Sequence, residues 1–296
     1  MWRWEGGGFV VLKYGPQGGL RWVRKSPGGF CDQAEQATGV AVRGDLVVVV
    51  GHAYGCCSMA LDDGWIRAFR SDGRLRWIRD FEAPGITGTN DRALGVAVSG
   101  LSRIYVVGNV EMSPRDDGTV IVDHEAVLQK LSSSGGVIWT RVVHDEGVKD
   151  FDRFSAISVR GERVMVTGGL EGWAPYTDEP DYGPRAWLGR YSFGGDLLWS
   201  RSWGSDWRVA DPSGVSVAPS GATVVADTTQ YRYKGSDIGL RVYGATGVLR
   251  WSRWLRGPER ELQASDVAVA QGGMYVSGWA SPASLGARLW RWNATV

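Results

Sequence analysis

Five copies of one short pattern, Gly-x-Leu/Val-x-Trp-x-Arg, constrain the fold of this chain more than any other feature. Successive copies start roughly 50 to 60 residues apart, and a large apolar residue lies four positions before each glycine. A pattern that returns in register along most of a chain indicates one structural unit repeated several times. The tryptophans of the five copies are Trp22, Trp77, Trp139, Trp199 and Trp251.

Each repeat predicts four short strands, which we label a, b, c and d in chain order. The runs are rich in β-branched and aromatic residues, alternate with a period of two, and are separated by Gly- and Ser-rich turns. Examples are GVAV for strand a, RIYVVG for b, WIRAFR for c and RLRWIR for d. Repeats of about 40 to 60 residues with four antiparallel strands are typical of β-propeller blades.

The order aromatic–Gly-x-Leu-x-Trp, Asp, Val-Ala-Val, Tyr-Val-x-Gly resembles the seven-bladed-propeller (SBBP-type) repeats and their PQQ-like relatives. The resemblance covers residues 8 to 292 and implies a propeller, which is often a surface or envelope protein. It places the family's aspartate before strand a at Asp91, Asp152, Asp211 and Asp266, whereas the first repeat has no aspartate at that offset. Nothing in the chain resembles a PQQ pocket, so no activity is carried over.

The strand count predicts a single all-β domain over residues 1–296, a five-bladed β-propeller of four-stranded antiparallel blades. The pattern contains five a, five b and five d strands but six c-like strands, the sixth being GARLWRWN at the C-terminal end. We expect the N- and C-terminal strands together to close the last blade, which removes exposed sheet edges. A six-bladed ring is the alternative, and the role of the surplus c strand is open.

Charge is distributed unevenly between the predicted faces. The short a–b and c–d turns lie at one end of each blade, and the long b–c and d–a connections lie at the other. Most of the 32 acidic residues fall in the long connections, whereas most of the 33 basic residues fall in the strands and short turns. The net charge of +1 therefore conceals a dipolar molecule with an acidic loop face.

The acidic loop face is the predicted binding site, for a protein partner, a glycan or a divalent cation such as calcium. Long polar connections also collect Asp and Gly simply as turn formers, which is the alternative explanation. Clustered carboxylates suit hard cations, and aromatic side chains stack on sugar rings. The candidate residues are Tyr54, Asp116, Asp117, Asp123, Trp173, Tyr176, Asp178, Asp181, Tyr182 and Trp207.

The three cysteines, Cys31, Cys56 and Cys57, all lie in the first repeat, in two neighbouring connections of the same face. A disulfide from Cys31 to one of the vicinal pair is the leading interpretation. Buried thiols are the second, and a zinc site that includes His52 is the third, because adjacent cysteines share a tetrahedral metal poorly.

Catalysis is weakly supported, so the chain is predicted to be a binding or assembly module. Its three histidines are scattered and no Gly-x-Ser-x-Gly motif occurs. The alternative is a carbohydrate-active hydrolase with two or three carboxylates at the central mouth, for which the four aspartates before the a strands are the candidates. A repeated aspartate more often caps a turn by accepting backbone hydrogen bonds.

The remaining expectations concern partners and location. The near-neutral charge and the spread of arginine along every repeat disfavour nucleic-acid binding, and no apolar run is long enough to span a membrane. The N-terminus lacks a signal-peptide pattern, which leaves a cell-surface location open only for a processed chain. Tryptophan-rich ends, MWRW and LWRW, favour self-association. The repeated tryptophans themselves are predicted to be scaffold, with Leu75, Trp77 and Arg79 on one face of strand d.

Overall fold

A computed structural model of the 296-residue chain describes residues 8–26, 34–54, 62–84, 90–112, 123–143, 152–170, 185–204, 208–231, 235–256, 261–270, 273–281 and 287–292. Throughout these ranges the regular structure is β, with 21 strands and no helix. The strands form antiparallel meanders in sequence order, and the predicted class, an all-β five-bladed β-propeller, is confirmed.

The chain divides into two compact units. Unit 1 comprises Met1–Ile121 and Val127–Val142, and unit 2 comprises Val122–Ala126 and Val143–Val296. The single-domain organisation expected from the repeats stays a prediction.

Unit 1 contains a two-stranded hairpin followed by two four-stranded blades. The hairpin is β1 (Val10–Tyr14) and β2 (Leu20–Lys25). Blade A is β3 (Ala34–Arg43), β4 (Leu46–Tyr54), β5 (Asp62–Arg70) and β6 (Leu75–Asp80). Blade B is β7 (Arg92–Val98), β8 (Ile104–Met112), β9 (Asp123–Leu131) and β10 (Val137–Val143), of which the first residues of β9 and the last of β10 group with unit 2.

Unit 2 contains two four-stranded blades and one three-stranded sheet. Blade C is β11 (Arg153–Arg160), β12 (Arg163–Leu170), β13 (Arg185–Tyr191) and β14 (Leu197–Trp203). Blade D is β15 (Arg208–Val217), β16 (Thr223–Tyr231), β17 (Gly235–Tyr243) and β18 (Leu249–Leu255). Blade E is β19 (Leu262–Ala270), β20 (Gly273–Ala280) and β21 (Ala287–Trp292).

The surplus c strand of the sequence corresponds to β21, which pairs with β20 in the c position of blade E. The N-terminal c and d strands are β1 and β2, and they pair with each other. In the hydrogen-bonded sheets of the described residues, the hairpin therefore has two strands and blade E has three.

A β-bulge in every a strand gives a register by which the blades can be compared. One residue is extra in each a–b pair: Thr38, Leu94, Ser155, Ser213 and Ser265. The b-strand residue opposite the position just before each bulge is Gly51, Gly108, Gly168, Asp227 or Gly278. Bulges locally increase twist and re-aim side chains, so residues counted from them are structurally equivalent.

The apolar core lies between consecutive blades, because b strands such as VVVV in β4 are covered on both faces. In unit 1, Val48, Val50 and Ile66 of blade A pack against Ile104 and Val106 of blade B. In unit 2, blades D and E are packed in the same way. Each blade thus depends on its neighbour for the burial of one face.

A second bulge in strand d corrects one prediction from the repeat pattern. In β6, Trp77 pairs with Ala68, whereas Leu75 pairs with the next residue, Phe69, so Arg76 is extra. Neighbouring residues of β5 point to opposite faces, and Leu75 therefore does not share the face of Trp77 and Arg79. Leu75 is half exposed, while Trp77 packs against the core.

The repeated tryptophans Trp22, Trp77 and Trp199 lie beneath the c–d turn of the following blade. The indole nitrogens of Trp22 and Trp77 donate to the carbonyls of Ser71 and Ser133, over 3.0 and 3.1 Å. The turn glycines have φ between 79 and 88°, and a Cβ added to any of them would lie 2.8 or 2.9 Å from the ring. These ring–glycine pairs are Trp22 with Gly73, Trp77 with Gly135 and Trp199 with Gly247.

The repeated arginine completes this contact. Arg24 Nε donates to the carbonyl of Gly73 over 2.6 Å, and Arg201 Nε donates to that of Gly247 over 2.8 Å. Both guanidinium groups also stack over the tryptophan two residues earlier, 5.6 and 5.5 Å from the ring centroid. We call the combination of a d-strand Trp-x-Arg and the next c–d turn the latch. It identifies the Gly-x-Leu-x-Trp-x-Arg repeat as scaffold that joins consecutive blades.

Candidate functional site

Most of the binding residues predicted from the sequence lie outside the described residues. The structure places two of them at strand ends, Tyr54 at the end of β4 and Asp123 at the start of β9, without describing their side chains. The others outside the described ranges are Asp116, Asp117, Trp173, Tyr176, Asp178, Asp181, Tyr182 and Trp207. Cys31, Cys56 and Cys57 are outside them as well, so the disulfide, calcium and glycan predictions stay predictions.

The four aspartates predicted at one blade position occupy three different positions. Asp91 and Asp152 lie two residues before the residue that precedes the bulge. Asp211 lies one residue later than this position, and Asp266 lies beyond the bulge. The prediction of one repeated position was wrong, because the bulge in each a strand aligns the strands differently from their sequence pattern.

The four aspartates also differ in their hydrogen-bond partners. Asp211 Oδ1 accepts from Arg153 of the preceding blade over 2.6 Å, and Asp266 Oδ1 accepts from the backbone N–H of Val267 over 2.7 Å. Asp152 is buried. Asp266 therefore accepts from the next residue of its own strand β19, whereas Asp91 accepts from the backbone N–H of Glu111 in another strand, over 3.1 Å.

The sequence pattern missed the acid of the first blade. Glu35 of β3 is equivalent to Asp91 and Asp152 by the bulge register. Its Oε1 accepts from Arg67 over 2.5 Å, and the Arg67 guanidinium stacks over Trp65, 4.8 Å from the ring centroid. A glutamate in place of aspartate hid this equivalence.

Four carboxylates gather in unit 1 at the long-loop ends of blades A and B, and we call them the acidic corner. Asp63 is the second residue of strand c of blade A, and Glu82 follows its strand d. Asp91 precedes strand a of blade B and Glu111 lies near the end of its strand b. The backbone N–H of Glu111 donates to Asp91 Oδ1 over 3.1 Å, which ties the two strand ends together.

The acidic corner holds one carboxyl with an unusual proton affinity. Asp91 is 8% exposed, and this burial is the largest cause that raises its pKa to about 6. The hydrogen bond from Glu111 opposes the shift, whereas the negative charges of Asp63, Glu111 and Glu82 add to it. The negative charges of the neighbouring carboxylates therefore act together on Asp91.

The equivalent positions in unit 2 carry almost no acid. Between blades C and D, the positions of the four acidic-corner residues hold Arg185, Gly204, Ala210 and Gln230. Between blades D and E they hold Asp237, Arg256, Leu262 and Ser281, and Asp237 lies 4.0 Å from the Arg256 guanidinium. Where these positions can be compared, the accumulation of four carboxylates belongs to the boundary between blades A and B.

Unit 2 instead contains a buried, compensated carboxylate. Asp227 stands where the other four b strands have glycine and is fully buried. Its Oδ2 accepts from Arg241 Nε over 3.1 Å, and its Oδ1 accepts from the Thr229 hydroxyl over 2.8 Å. The facing residue of strand c is Gly239, whose added Cβ would lie 2.5 Å from Asp227 Oδ1. In blade D the large residue is therefore in strand b and the glycine is in strand c, whereas the other blades have the glycine in strand b. Asp227 thus has a structural role.

Metal binding finds no support among the described residues of the acidic face. No group of three or more His, Cys, Asp or Glu side chains within the described ranges is arranged to hold a metal ion. The corner carboxylates therefore form an electrostatic surface and not a chelating set.

Comparisons with known proteins give the fold and no family. No protein-family model matches the chain, and no curated protein matches it. In the described ranges, no helix is long and apolar enough to cross a membrane.

Several solved structures have a similar fold. A protein of unknown function from Dyadobacter fermentans is 12% identical, with a TM-score of 0.60 over 88% of this chain and 79% of that one. A second protein of unknown function, from Bacteroides caccae, is 12% identical with a TM-score of 0.49 over 92% and 83%. A levansucrase from B. megaterium is 7% identical with a TM-score of 0.44 over 96% and 86%. The first of these supports the propeller fold, and identities this low carry nothing about activity.

Proposed function

We propose that the protein is a non-catalytic binding module whose acidic long-loop face docks a cationic segment of a protein partner. The observation that carries this proposal is the accumulation of four carboxylates at the boundary of blades A and B. The equivalent positions between blades C and D carry none. A repeat protein departs from its own pattern where a position has a role other than building the blade.

A cationic peptide suits the corner better than a metal ion does. The described carboxylates do not form a chelating group, whereas lysine and arginine side chains reach carboxylates singly and over a range of distances. In the sequence, the segment after Met112 adds Asp116 and Asp117 beside Glu111. Such a surface also steers a basic partner during encounter, and steering weakens as ionic strength rises.

The test is the binding of a fluorescein-labelled oligolysine peptide, followed by fluorescence anisotropy. We expect saturable binding that weakens with salt and strengthens as pH rises through about 6, because Asp91 then ionises. Asp63→Asn and Glu111→Gln should each weaken binding by roughly threefold to tenfold, since each removes one charge from the corner.

The matched control is Asp72→Asn, in the c–d turn of blade A. Asp72 is an exposed acid at the other end of the same blade, so this variant makes the same change in net charge away from the corner. Equal weakening by the control and by the corner variants would show non-specific charge attraction and reject the proposal. A calcium-dependent rise in melting temperature that needs the corner acids would reassign the site to a cation.

Glycoside hydrolysis is the second candidate function, and one observation favours it. A carboxyl with a pKa of about 6 beside other carboxylates has the proton affinity of a general acid. If this function holds, the protein releases nitrophenol from aryl glycosides with an acidic pH optimum, and Asp91→Asn abolishes the release. Absence of turnover across a panel of aryl glycosides and polysaccharides excludes it and leaves the binding proposal intact.

A further inference from the structure

The repeated pattern contains an aliphatic residue that the blades leave largely uncovered. It is the leucine or valine two positions after the glycine, and it is the first residue of every d strand. The five side chains are 37 to 53% exposed: Leu20, Leu75, Val137, Leu197 and Leu249. The same position is thus apolar in all five repeats, although much of each side chain lies in solvent.

In unit 1 the three copies of this residue lie at one end of neighbouring sheets. Each follows a c–d turn, and two latches tie these turns together, since Trp22 donates to Ser71 and Trp77 donates to Ser133. The a–b turns of blades A and B lie at the same end, because the strands of a meander alternate in direction. We call this end of unit 1 the basic end, and it comprises residues 15–21, 42–46, 70–76, 99–103 and 131–137.

The a–b turn of blade B adds a fourth aliphatic side chain to the basic end. Leu101 is 74% exposed, and the next residue, Ser102, has a φ of 54°, the one positive φ among the non-glycine residues described. The turn is held by hydrogen bonds from Ser99 N to Arg103 O and from Ser102 N to Ser99 O, over 2.9 and 3.0 Å. A left-handed backbone is strained for a residue with a side chain, and such strain is typical of sites with a role beyond packing.

The equivalent turn of blade D shows what the blade itself requires. Its backbone has the same two hydrogen bonds, over 2.8 and 2.9 Å. Ser220 and Gly221 stand there in place of Leu101 and Ser102. A polar residue and a glycine therefore suffice to build this turn, and blade B departs from them at both positions.

The basic end also has an excess of positive charge, with six arginines and two aspartates. Asp45 already pairs with Arg76 over 2.7 Å. Asp72 pairs with Arg74 over 3.6 Å. The other four arginines are exposed and form no ion pair with a carboxylate of the described ranges: Arg21, Arg43, Arg70 and Arg103.

Two of these arginines lie on either side of Leu101. A Cβ added to Gly100 would lie 3.5 Å from the Arg43 guanidinium, so Arg43 reaches from blade A to the turn that carries Leu101. Arg103 ends the same turn and is exposed. The most exposed aliphatic side chain of the basic end is thus flanked by positive charge.

We propose that the basic end is a docking surface for an anionic lipid bilayer. Leu101 and the exposed residues that begin the d strands enter the interface, while the arginines lie at the headgroup phosphates. The excess of arginine requires a negatively charged partner. Each aliphatic side chain stands on a different turn, and a fluid bilayer accepts such side chains without a complementary shape.

A polyanion in water fits these observations less well. It would use the arginines but leave the four aliphatic side chains in solvent, and it would give the strained turn at Leu101 no role. The basic end and the acidic corner lie at opposite ends of blades A and B, so bilayer docking is independent of the partner proposed for the corner.

The test is cosedimentation of the full chain with phosphatidylcholine vesicles that contain either no phosphatidylglycerol or about one third of it. The wild type should bind the anionic vesicles, bind them less as salt concentration rises, and leave the neutral vesicles unbound. Leu101→Ser introduces the residue of the blade D turn and should weaken binding about tenfold. Arg103→Gln removes one charge and should weaken binding about fivefold.

Val10→Ser and Lys25→Gln are the matched controls. Both residues are exposed at the opposite end of the hairpin β1–β2, so these variants make comparable changes away from the basic end. They should bind vesicles as the wild type does. Circular dichroism and melting temperature check that each chain is folded, and Leu75→Ser or Arg43→Gln replaces a variant of the basic end that is not.

Three outcomes overturn the proposal. The first is a wild type that binds neither kind of vesicle. The second is binding that Leu101→Ser leaves unchanged, which would reduce the contact to charge attraction. The third is binding to a DNA duplex as tight as to anionic vesicles, which would make the arginines a surface for a phosphate backbone.

Oligolysine binding separates this proposal from the proposed function. All these variants keep the acidic corner, so each should bind oligolysine as the wild type does. A wild type that binds anionic vesicles but no oligolysine would reject the function proposed for the corner and leave bilayer docking intact.

Discussion

The acidic corner of unit 1 and the buried carboxylate of unit 2 show two opposite uses of an acid in one repeat architecture. Asp227 is buried with an arginine and a threonine that satisfy its oxygens. Asp91 is buried beside three further carboxylates, and its pKa rises to about 6. The first acid stabilises the blade that contains it, whereas the second destabilises the folded state when it is ionised. Removing each of them should therefore change stability with opposite sign.

The largest expected effect is a loss of stability when Asp227 of unit 2 is replaced. Asp227→Ala leaves the Arg241 guanidinium buried without its carboxylate, which should cost about 3–5 kcal/mol of unfolding free energy. Urea unfolding measures the loss. The double variant Asp227→Ala/Arg241→Leu should recover part of it, because no charge is then left unpaired. A loss below about 1 kcal/mol in the single variant would mean that the pair does not hold blade D.

The second-largest expected effect is the loss of stability when the latch tryptophan Trp77 is removed. Trp77→Ala removes the ring beneath the turn at Gly135 and the indole hydrogen bond to Ser133, and should cost about 3 kcal/mol. The variant should bind oligolysine as the wild type does, because Trp77 is scaffold. Thermal unfolding and anisotropy test the two halves of this expectation, and lost binding in a folded variant would contradict it.

A gain in stability at neutral pH is expected when Asp91 of unit 1 is replaced by asparagine. The pKa of Asp91 is higher in the folded chain, so the folded state retains a proton that the unfolded state loses between about pH 4 and 6. Stability from this group is complete below pH 4 and falls by up to about 3 kcal/mol as pH rises through 6. Asp91→Asn keeps the hydrogen-bond acceptor for Glu111 and should flatten this slope.

The measurement is urea unfolding of wild type and Asp91→Asn at pH 4, 5, 6 and 7.5. The variant should be more stable than the wild type at pH 7.5 and equal to it at pH 4. A variant that loses stability at pH 7.5 would place Asp91 with the structural acids, like Asp227, and would remove the contrast between the two regions.

The smallest effect is expected at Asp45, in the a–b turn of blade A. Hydrogen bonds from the Ser71 hydroxyl and backbone N–H, and then from Arg76, hold the pKa of this carboxyl well below its usual range. The stability that it contributes is present at neutral pH and is lost as pH falls through the lowered pKa. Asp45→Asn should slightly lower the melting temperature at pH 7, and this difference should shrink steadily as pH falls below about 4. The opposite pH trend would contradict the assignment.

The contrast between these acids was only partly predictable. The repeated pattern predicts the blades, which the strand pairing confirms. It also predicts a scaffold role for the tryptophans, of which Trp22 and Trp77 contact the c–d turn of the next blade. It also predicts an acidic face, but it places Asp91 at the same blade position as Asp152, Asp211 and Asp266. The a-strand bulges show that Asp211 and Asp266 occupy other positions and that Glu35 belongs with Asp91.

The acidic corner itself required the structure. Its acids lie in or beside four different strands of two blades, and they are spread over positions 63 to 111 of the sequence. Asp63 and Glu111 could have been found by aligning the repeats on their bulges, because the same columns hold Arg185 and Gln230 in unit 2. Bulge positions are set by strand pairing, and strand pairing is what a single sequence specifies least directly.

By itself, the sequence determined the repeat and the strands, because both depend on local periodicity and on a pattern that recurs five times. The tertiary structure alone decided which acids share a corner and which are neutralised by an arginine. These properties depend on distances between side chains far apart in the chain, and the packing of blade on blade sets those distances.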